Sequence, residues 1–173
     1  MTFGRFNIIF WGPYSRFGMV LAALVFVADR ANKYWMVSVW DLAARGRVEV
    51  TPFLDLVMVW NRGVSYGLFT QSSDAGRYGL FVFALVVSGA LFLWLAQAHG
   101  RLFAFSLGLI IGAALSNAAD RLIYGAVADF YSLHAMGYYW YVFNSADIAI
   151  VAGVAVLLYD SFASGHKSAE NGT

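Results

Sequence analysis

The run Tyr78–Ala98, YGLFVFALVVSGALFLWLAQA, contains no charged residue. A bilayer's hydrocarbon core of roughly 30 Å is crossed by about 20 helical residues. In lipid the backbone must satisfy its own polar groups, so such a run is expected to be a membrane helix. Two further segments read the same way. Leu102–Ala119 is rich in small residues and ends at Asp120-Arg121, and Phe143–Phe162 carries Asp147 near its start and Asp160 near its end. A fourth, Phe17–Val39, is interrupted by Asp29, Arg30 and Lys33. Asp29 and Lys33 fall four apart on one helix face, where they can pair. Nothing after this segment resembles a small-residue cleavage site leading into a soluble domain, so it reads as a retained span. Composition agrees: the 173 residues are 61% hydrophobic and 12% charged, too apolar to cover a water-facing surface. The net charge of +1 shows no bias toward nucleic acid. The absence of Cys excludes disulfides, thiolate metal sites and a cysteine nucleophile.

The remaining sequence is arranged around those spans as one membrane domain, residues 1–173. Residues 1–16 hold several aromatics with Arg5, Pro13 and Arg16, which suits an interfacial segment. Val48–Phe69, rich in Val, Phe, Trp and Tyr, reads as short strands with a turn. Residues 130–142 are aromatic and too short to cross, so they are expected at the interface. The polar tail from Ser164 is expected to be disordered. An even number of spans puts both termini on one side, with Arg5, Arg16, Arg101 and Lys167. Arg45, Arg47, Arg62 and Arg77 face the other side. With basic residues so evenly divided, the positive-inside rule does not fix the orientation.

Polar chemistry gathers in two stretches, Gly112–Phe130 (GAALSNAADRLIYGAVADF) and Phe143–Ile150 (FNSADIAI). One follows the third span and the other begins the fourth, so both reach the same membrane face. Asp129 and Asp147 therefore share a surface. Asp147 lies about one turn inside its span, where an unpaired carboxylate is costly. Asn144 is three positions earlier on the same side, and Asn117 and Arg121 lie four apart on the third span. Two carboxylates sharing one proton can hydrolyse a peptide without a metal: one takes a proton from water while the other donates to the carbonyl oxygen. The residues alone leave other readings open. Each acid can pair with an arginine or cap a helix, as expected for Asp120 beside Arg121, or the acids can line the path of a small ion- or proton-coupled transporter. His134 has only the distant His99 and His166 for company, so no metal-ligand cluster is expected. Ser65 has no histidine nearby in motif terms.

Five motifs in order change this picture: Asp29-Arg30-Ala31-Asn32-Lys33, Asn61-Arg62-Gly63-Val64-Ser65-Tyr66-Gly67, Asn117-Ala118-Ala119-Asp120-Arg121, Gly125-Ala126-Val127-Ala128-Asp129-Phe130 and Phe143-Asn144-Ser145-Ala146-Asp147. Over about Val27 to Tyr159 the chain resembles the lipoprotein signal peptidases, the bacterial signal peptidase II family of membrane aspartic proteases. It departs at Asn32, where Ser or Thr is usual, at Tyr66, where Phe or Trp is usual, and in the small-residue run before Asn117. The resemblance implies a mainly α membrane protein with four transmembrane helices, a small extracytoplasmic β-cradle and an interfacial amphipathic segment. It implies Asp129 and Asp147 as the catalytic pair. Asn61, Gly63, Asn117, Arg121 and Asn144 would hold the substrate or orient the carboxylates, with Asp29, Lys33 and Asp120 as structural residues; Asp29 and Lys33 would fix the β element against the first span. The implied partners are a lipid-modified prolipoprotein substrate and membrane lipids, with no cofactor and no metal. The implied place is the bacterial inner membrane, termini cytoplasmic and active site periplasmic.

Overall fold

Among the described residues of the computed structural model, three helices are long and apolar enough to cross a membrane: α3 (Asp74–Leu95), α4 (Arg101–Ile123) and the apolar part of α5, Ser145–Ala163. The structure describes residues 10–63 and 74–170, with side chains as far as 163. Residues 1–9 of the expected N-terminal interfacial segment lie outside the described residues, as do Val64–Gly67 of the second motif and residues 64–69 of the expected β element. Over half of α4's apolar window is buried, 56%, against 11% for α3 and for α5. α4 is thus the central helix, and its neighbours turn their apolar faces outward.

Small residues allow that centrality. A Cβ added to Gly112 would lie 2.3 Å from the carbonyl oxygen of Ala22, so the backbones of α4 and α1 (Ser15–Tyr34) touch only because glycine stands there. Leu95, Phe103, Ala104, Leu107 and Ile111 complete the buried apolar core around Ala22. α1 exposes Phe17, Val20, Leu24 and Val27, buries Asp29 and Lys33, and passes at its C-terminal end into a π-helical stretch, Trp35–Val39. A short helix α2 (Leu42–Arg45) leads from there to the sheet.

The sheet is antiparallel with the order β1-β2-β3-β4: β1 (Val48–Thr51), β2 (Leu54–Asn61), β3 (Val127–Ala135) and β4 (Tyr138–Phe143). The expected interfacial segment 130–142 is therefore mostly strand. Met136 and Gly137, with φ of 52° and 81°, form a two-residue turn whose twist suits a hairpin. The β-branched and aromatic residues that suggest an interfacial belt also favour pleated pairing. Phe130 is fully buried against Leu42 and Leu56, worth about 1.5–3 kcal/mol, and pins the sheet to α2. α5 continues through Ser164 to Glu170, in place of the expected disordered tail; no proline interrupts that stretch.

The connections place the polar motifs. α4 turns into β3 through Gly125, whose φ of 80° suits glycine, and β4 runs into α5 through Asn144 alone. The β3–β4 hairpin is thus an insertion between two helices, with Asp129 near one root and Asp147 just past the other.

Candidate active site

Strand pairing brings in the first side chains. Val59 pairs with Asp129 and Asn61 with Val127, so Asn61 lies diagonally across from Asp129 on the same face of the sheet. Asn61 Nδ2 donates to Asp129 Oδ2 at 3.0 Å, while Asn61 Oδ1 accepts from the Gly63 amide at 3.0 Å. Arg121 reaches from α4 to the Gly63 carbonyl at 2.9 Å and to the Asn117 carbonyl at 3.1 Å. This fixes the end of β2 over the central helix.

The start of α5 supplies the second carboxylate through a reciprocal cap. Asn144 Oδ1 accepts from the Asp147 amide at 3.1 Å, and Asp147 Oδ2 accepts from the Asn144 amide at 3.1 Å. This is the capping box, written with Asn and Asp: two orphan N–H groups of the helix end are satisfied mutually. Negative charge is also favoured in a helix's first turn. The F-N-x-A-D motif is thus a helix start as well as a site element.

Asn144 joins the two carboxylates. Its Nδ2 donates to Asp129 Oδ1 at 2.6 Å and to Asn117 Oδ1 at 3.2 Å, and Asn117 Nδ2 donates to Asp147 Oδ1 at 3.2 Å. Asp129 and Asp147 line one cavity of about 220 Å³, together with Asn61, Asn117 and Arg121. Its other wall is apolar, from Leu80, Phe83, Ala84 and Val87 of α3 to Ile150 of α5. A second groove, of about 340 Å³, runs between β4 and the outer face of α5 along Trp140, Phe143, Ile148 and Val151, and also ends on Asp147.

Burial sets the charge state. Asp129 is 2% exposed, and desolvation, aided by the nearby Asp147 charge, pushes its carboxyl up to about 7 against the hydrogen bonds from Asn61 and Asn144. Near neutral pH the pair can therefore hold one proton between two acids.

Below the cavity lies a buried ionic cluster. Lys33 Nζ donates to Asp29 Oδ2 at 2.9 Å and Asp120 Oδ2 at 2.7 Å, and Arg30 pairs with Asp120. Asp29 also accepts from the hydroxyls of Ser116 and Ser145, and Asp120 accepts from the Ala128 amide at 3.2 Å. Asp120 does pair with an arginine, but the partner is Arg30 of α1, with Lys33 beside it, while its neighbour Arg121 points to Gly63. One expectation is corrected here. Asp29 and Lys33 tie α1 to α4 and to the start of α5; the β element is held by other contacts, among them Asp120 to the Ala128 amide and Asn32 of α1 to the Tyr131 hydroxyl. Arg30 and Ser145 stand inside two of the ordered motifs, but the partners of Ser116, Ser145 and Arg30 have no local sequence signal, because they lie 87, 116 and 90 positions away. Tyr66 and Ser65 fall outside the described residues.

Among the described residues no group of three or more His, Cys, Asp or Glu could hold a metal ion. His134 instead faces Asp55 at 3.1 Å on the sheet, and Asp55 also accepts from Arg47 at 2.7 Å. The Arg47 hydrogen bond holds that carboxyl below its ordinary value.

Residues 21–163 match the family described as Signal peptidase (SPase) II. The chain is 52% identical over 144 residues to the lipoprotein signal peptidase of a Methylobacterium species, covering 83% of this chain and 87% of that relative. It is 49% identical over 151 residues to the lipoprotein signal peptidase of Nitrobacter hamburgensis, covering 85% and 92%. Its fold is similar to that of a bacterial membrane enzyme solved by the in meso method at 2.3 Å, with TM-score 0.75 over 87% of this chain and 90% of that one, at 22% identity.

Proposed function

The chain belongs to the signal peptidase II family of peptidases, and we propose that it removes signal peptides from diacylglyceryl-modified prolipoproteins by water activation between Asp129 and Asp147. The observation that carries this reading is the convergence of both carboxylates on one cavity, tied by Asn144, whose side-chain amide donates to Asp129 and whose backbone amide donates to Asp147. Asp147 acts as the base and Asp129 as the acid. The Asp147 carboxylate takes a proton from water, whose oxygen attacks the scissile carbonyl carbon. Asp129 gives its proton to the carbonyl oxygen. The tetrahedral gem-diol then collapses: Asp147 passes the proton it took from water to the leaving nitrogen, the C–N bond breaks, and one hydroxyl returns its proton to Asp129, which restores the starting pair. Asn61, Asn117 and Asn144 hold the carboxylates in register. Arg121 and Gly63 offer a polar rim for the substrate backbone. The two apolar grooves that meet at Asp147 suit a substrate with two greasy parts, a signal helix and an acyl-chain pair, joined at the bond before the lipidated cysteine.

The same reading sets the protein in its membrane. α1 is a fourth span: Asp29, Arg30 and Lys33 turn inward to partners on α1, α4 and α5, among them Asp120 and Asn117, while Phe17, Val20, Leu24 and Val27 stay outside. The sheet is the extracytoplasmic cradle, both termini are cytoplasmic, and the carboxylates face the periplasm of a bacterial inner membrane. Membrane lipids are then the chain's solvent and the substrate's carrier.

The test is cleavage of a purified diacylglyceryl prolipoprotein by the purified protein, read as a gel shift. Wild type is expected to cleave, with and without exhaustive EDTA. Asp129→Asn and Asp147→Asn are each expected to abolish cleavage while remaining folded in detergent. Near-normal activity of either variant overturns the pair. Activity lost in chelator and restored by zinc, magnesium or calcium replaces it with a metal-assisted mechanism.

A further inference from the structure

Lys33 is among the largest fully buried side chains of the described residues, and two of its three partners are unsurprising. An ammonium without solvent needs counterions, and Asp29 and Asp120 provide them. The third partner is uncharged. Lys33 Nζ donates at 2.7 Å to Asn117 Oδ1, the atom that also accepts from Asn144 Nδ2 at 3.2 Å. Both acceptor positions of that oxygen are filled, so the amide can present only Nδ2 to Asp147.

The alternative orientation shows what this prevents. Turning the Asn117 amide by half a turn would set its NH₂ against the Lys33 ammonium and the Asn144 amide, donor facing donor. It would also set its oxygen against Asp147, a contact that only a protonated Asp147 could satisfy. The surrounding charges point the same way. α1 contributes Asp29, Arg30 and Lys33, α4 contributes Asp120 and Arg121, β3 contributes Asp129 and α5 contributes Asp147. Four acids thus meet three cations, so one of Asp129 and Asp147 is left to hold a proton, and the Asn117 amide, donating to Asp147, assigns it to Asp129.

We propose that Lys33 is a positioning residue for the reaction: by locking the Asn117 amide and placing one positive charge behind it, Lys33 keeps Asp147 in its ionised, proton-accepting form while the shared proton stays on Asp129. This rests on the peptidase reading above for its consequence, though not for its geometry.

Lys33→Met alone would strand two buried acids and endanger folding. The variant Lys33→Met/Asp29→Asn removes one charge of each sign, and Asp120 keeps Arg30; Asp29→Asn alone is its control. Two measurements apply. The first is kcat and KM for prolipoprotein cleavage across pH. Loss of the cation is expected to move the acid limb of kcat upward by about one pH unit, the low end of a neighbouring charge's effect. At a pH on that limb kcat falls about tenfold. KM stays within about twofold, and kcat recovers toward the alkaline plateau. The second is infrared titration of the protonated-carboxyl band in the purified protein, which needs no substrate and should shift in the same direction. A folded double variant whose acid limb and infrared titration match the Asp29→Asn control makes Lys33 only a brace and overturns the proposal. A wild-type protein that does not cleave overturns the peptidase reading instead, and the infrared titration still decides the role of Lys33.

Discussion

Replacing Asp129 by Asn should stop cleavage and, at alkaline pH, relieve the fold of a burden. The Asp129 carboxyl titrates near 7, against an ordinary value of 3.8. The native state therefore binds this proton more tightly than the unfolded chain. The contribution of this group to stability is full below pH 4, falls as pH rises through the interval from 3.8 to about 7, and is flat above it. At about 1.4 kcal/mol per tenfold change in proton affinity, the interval corresponds to on the order of 4 kcal/mol. An asparagine in this place would not titrate, yet its NH₂ would face the amide donors of Asn61 or Asn144, a constant cost of about 1–3 kcal/mol. That cost cancels when two pH values are compared. The assay is the unfolding free energy of both proteins in mixed micelles at pH 4 and pH 8. The stability of Asp129→Asn relative to wild type should rise between those values by up to about 4 kcal/mol. A relative stability that is level, or that falls, between pH 4 and pH 8 refutes the account of a carboxyl raised by burial.

Three more outcomes are expected from the geometry. Asn144→Ala removes the cap of α5 and a donor to Asp129, so the thermal midpoint should fall with a loss of about 1 kcal/mol. Cleavage should drop on the order of 10²-fold through misplacement of Asp147; activity near wild type counts against Asn144 as the shared tie. Gly112→Leu should destabilise the protein by about 1–3 kcal/mol through overpacking against Ala22. Gly89→Leu on α3, where an added Cβ meets nothing within 4 Å, should be neutral in the same detergent unfolding assay. Single cysteines at Ala135 and Ser168, which flank the apolar part of α5, should react with an impermeant reagent from opposite sides of a sealed vesicle; labelling from one side removes α5 as a span and with it the four-span topology.

The helices are legible in the sequence because hydropathy is a local property. The uncharged run Tyr78–Ala98 becomes α3 at Asp74–Leu95, and Leu102–Ala119 becomes most of α4. Asp129, Asp147, Asn61, Asn117, Arg121 and Asn144 are legible as a set because ordered motifs carry them, and the fold gathers all six at one cavity or its struts. The ionic cluster is not legible. Nothing local says that Asp120 prefers Arg30 to its neighbour Arg121, or that a serine on α4 and another on α5 meet Asp29. The hairpin escapes a sequence reading for a different reason: aromatic residues suit both a bilayer interface and a pleated strand, and only the pairing partner decides between them. The stretch Tyr138–Phe143 finds that partner in β3.

The cap at the head of α5 makes Asp147 part of the helix's own hydrogen-bonding scheme. A carboxylate on a loop can drift with the loop, but one in the first turn and bonded to the N-cap amide is held at a fixed height on its helix. Because the same helix is long and apolar enough to cross a bilayer, its register against the hydrocarbon layer also sets how far into the lipid this oxygen sits. The depth of the chemistry then becomes a length measured along α5. Inserting or deleting residues within the helix body would raise or lower the carboxylate against the bilayer, so the helix works as a ruler for where a membrane-anchored chain can be reached.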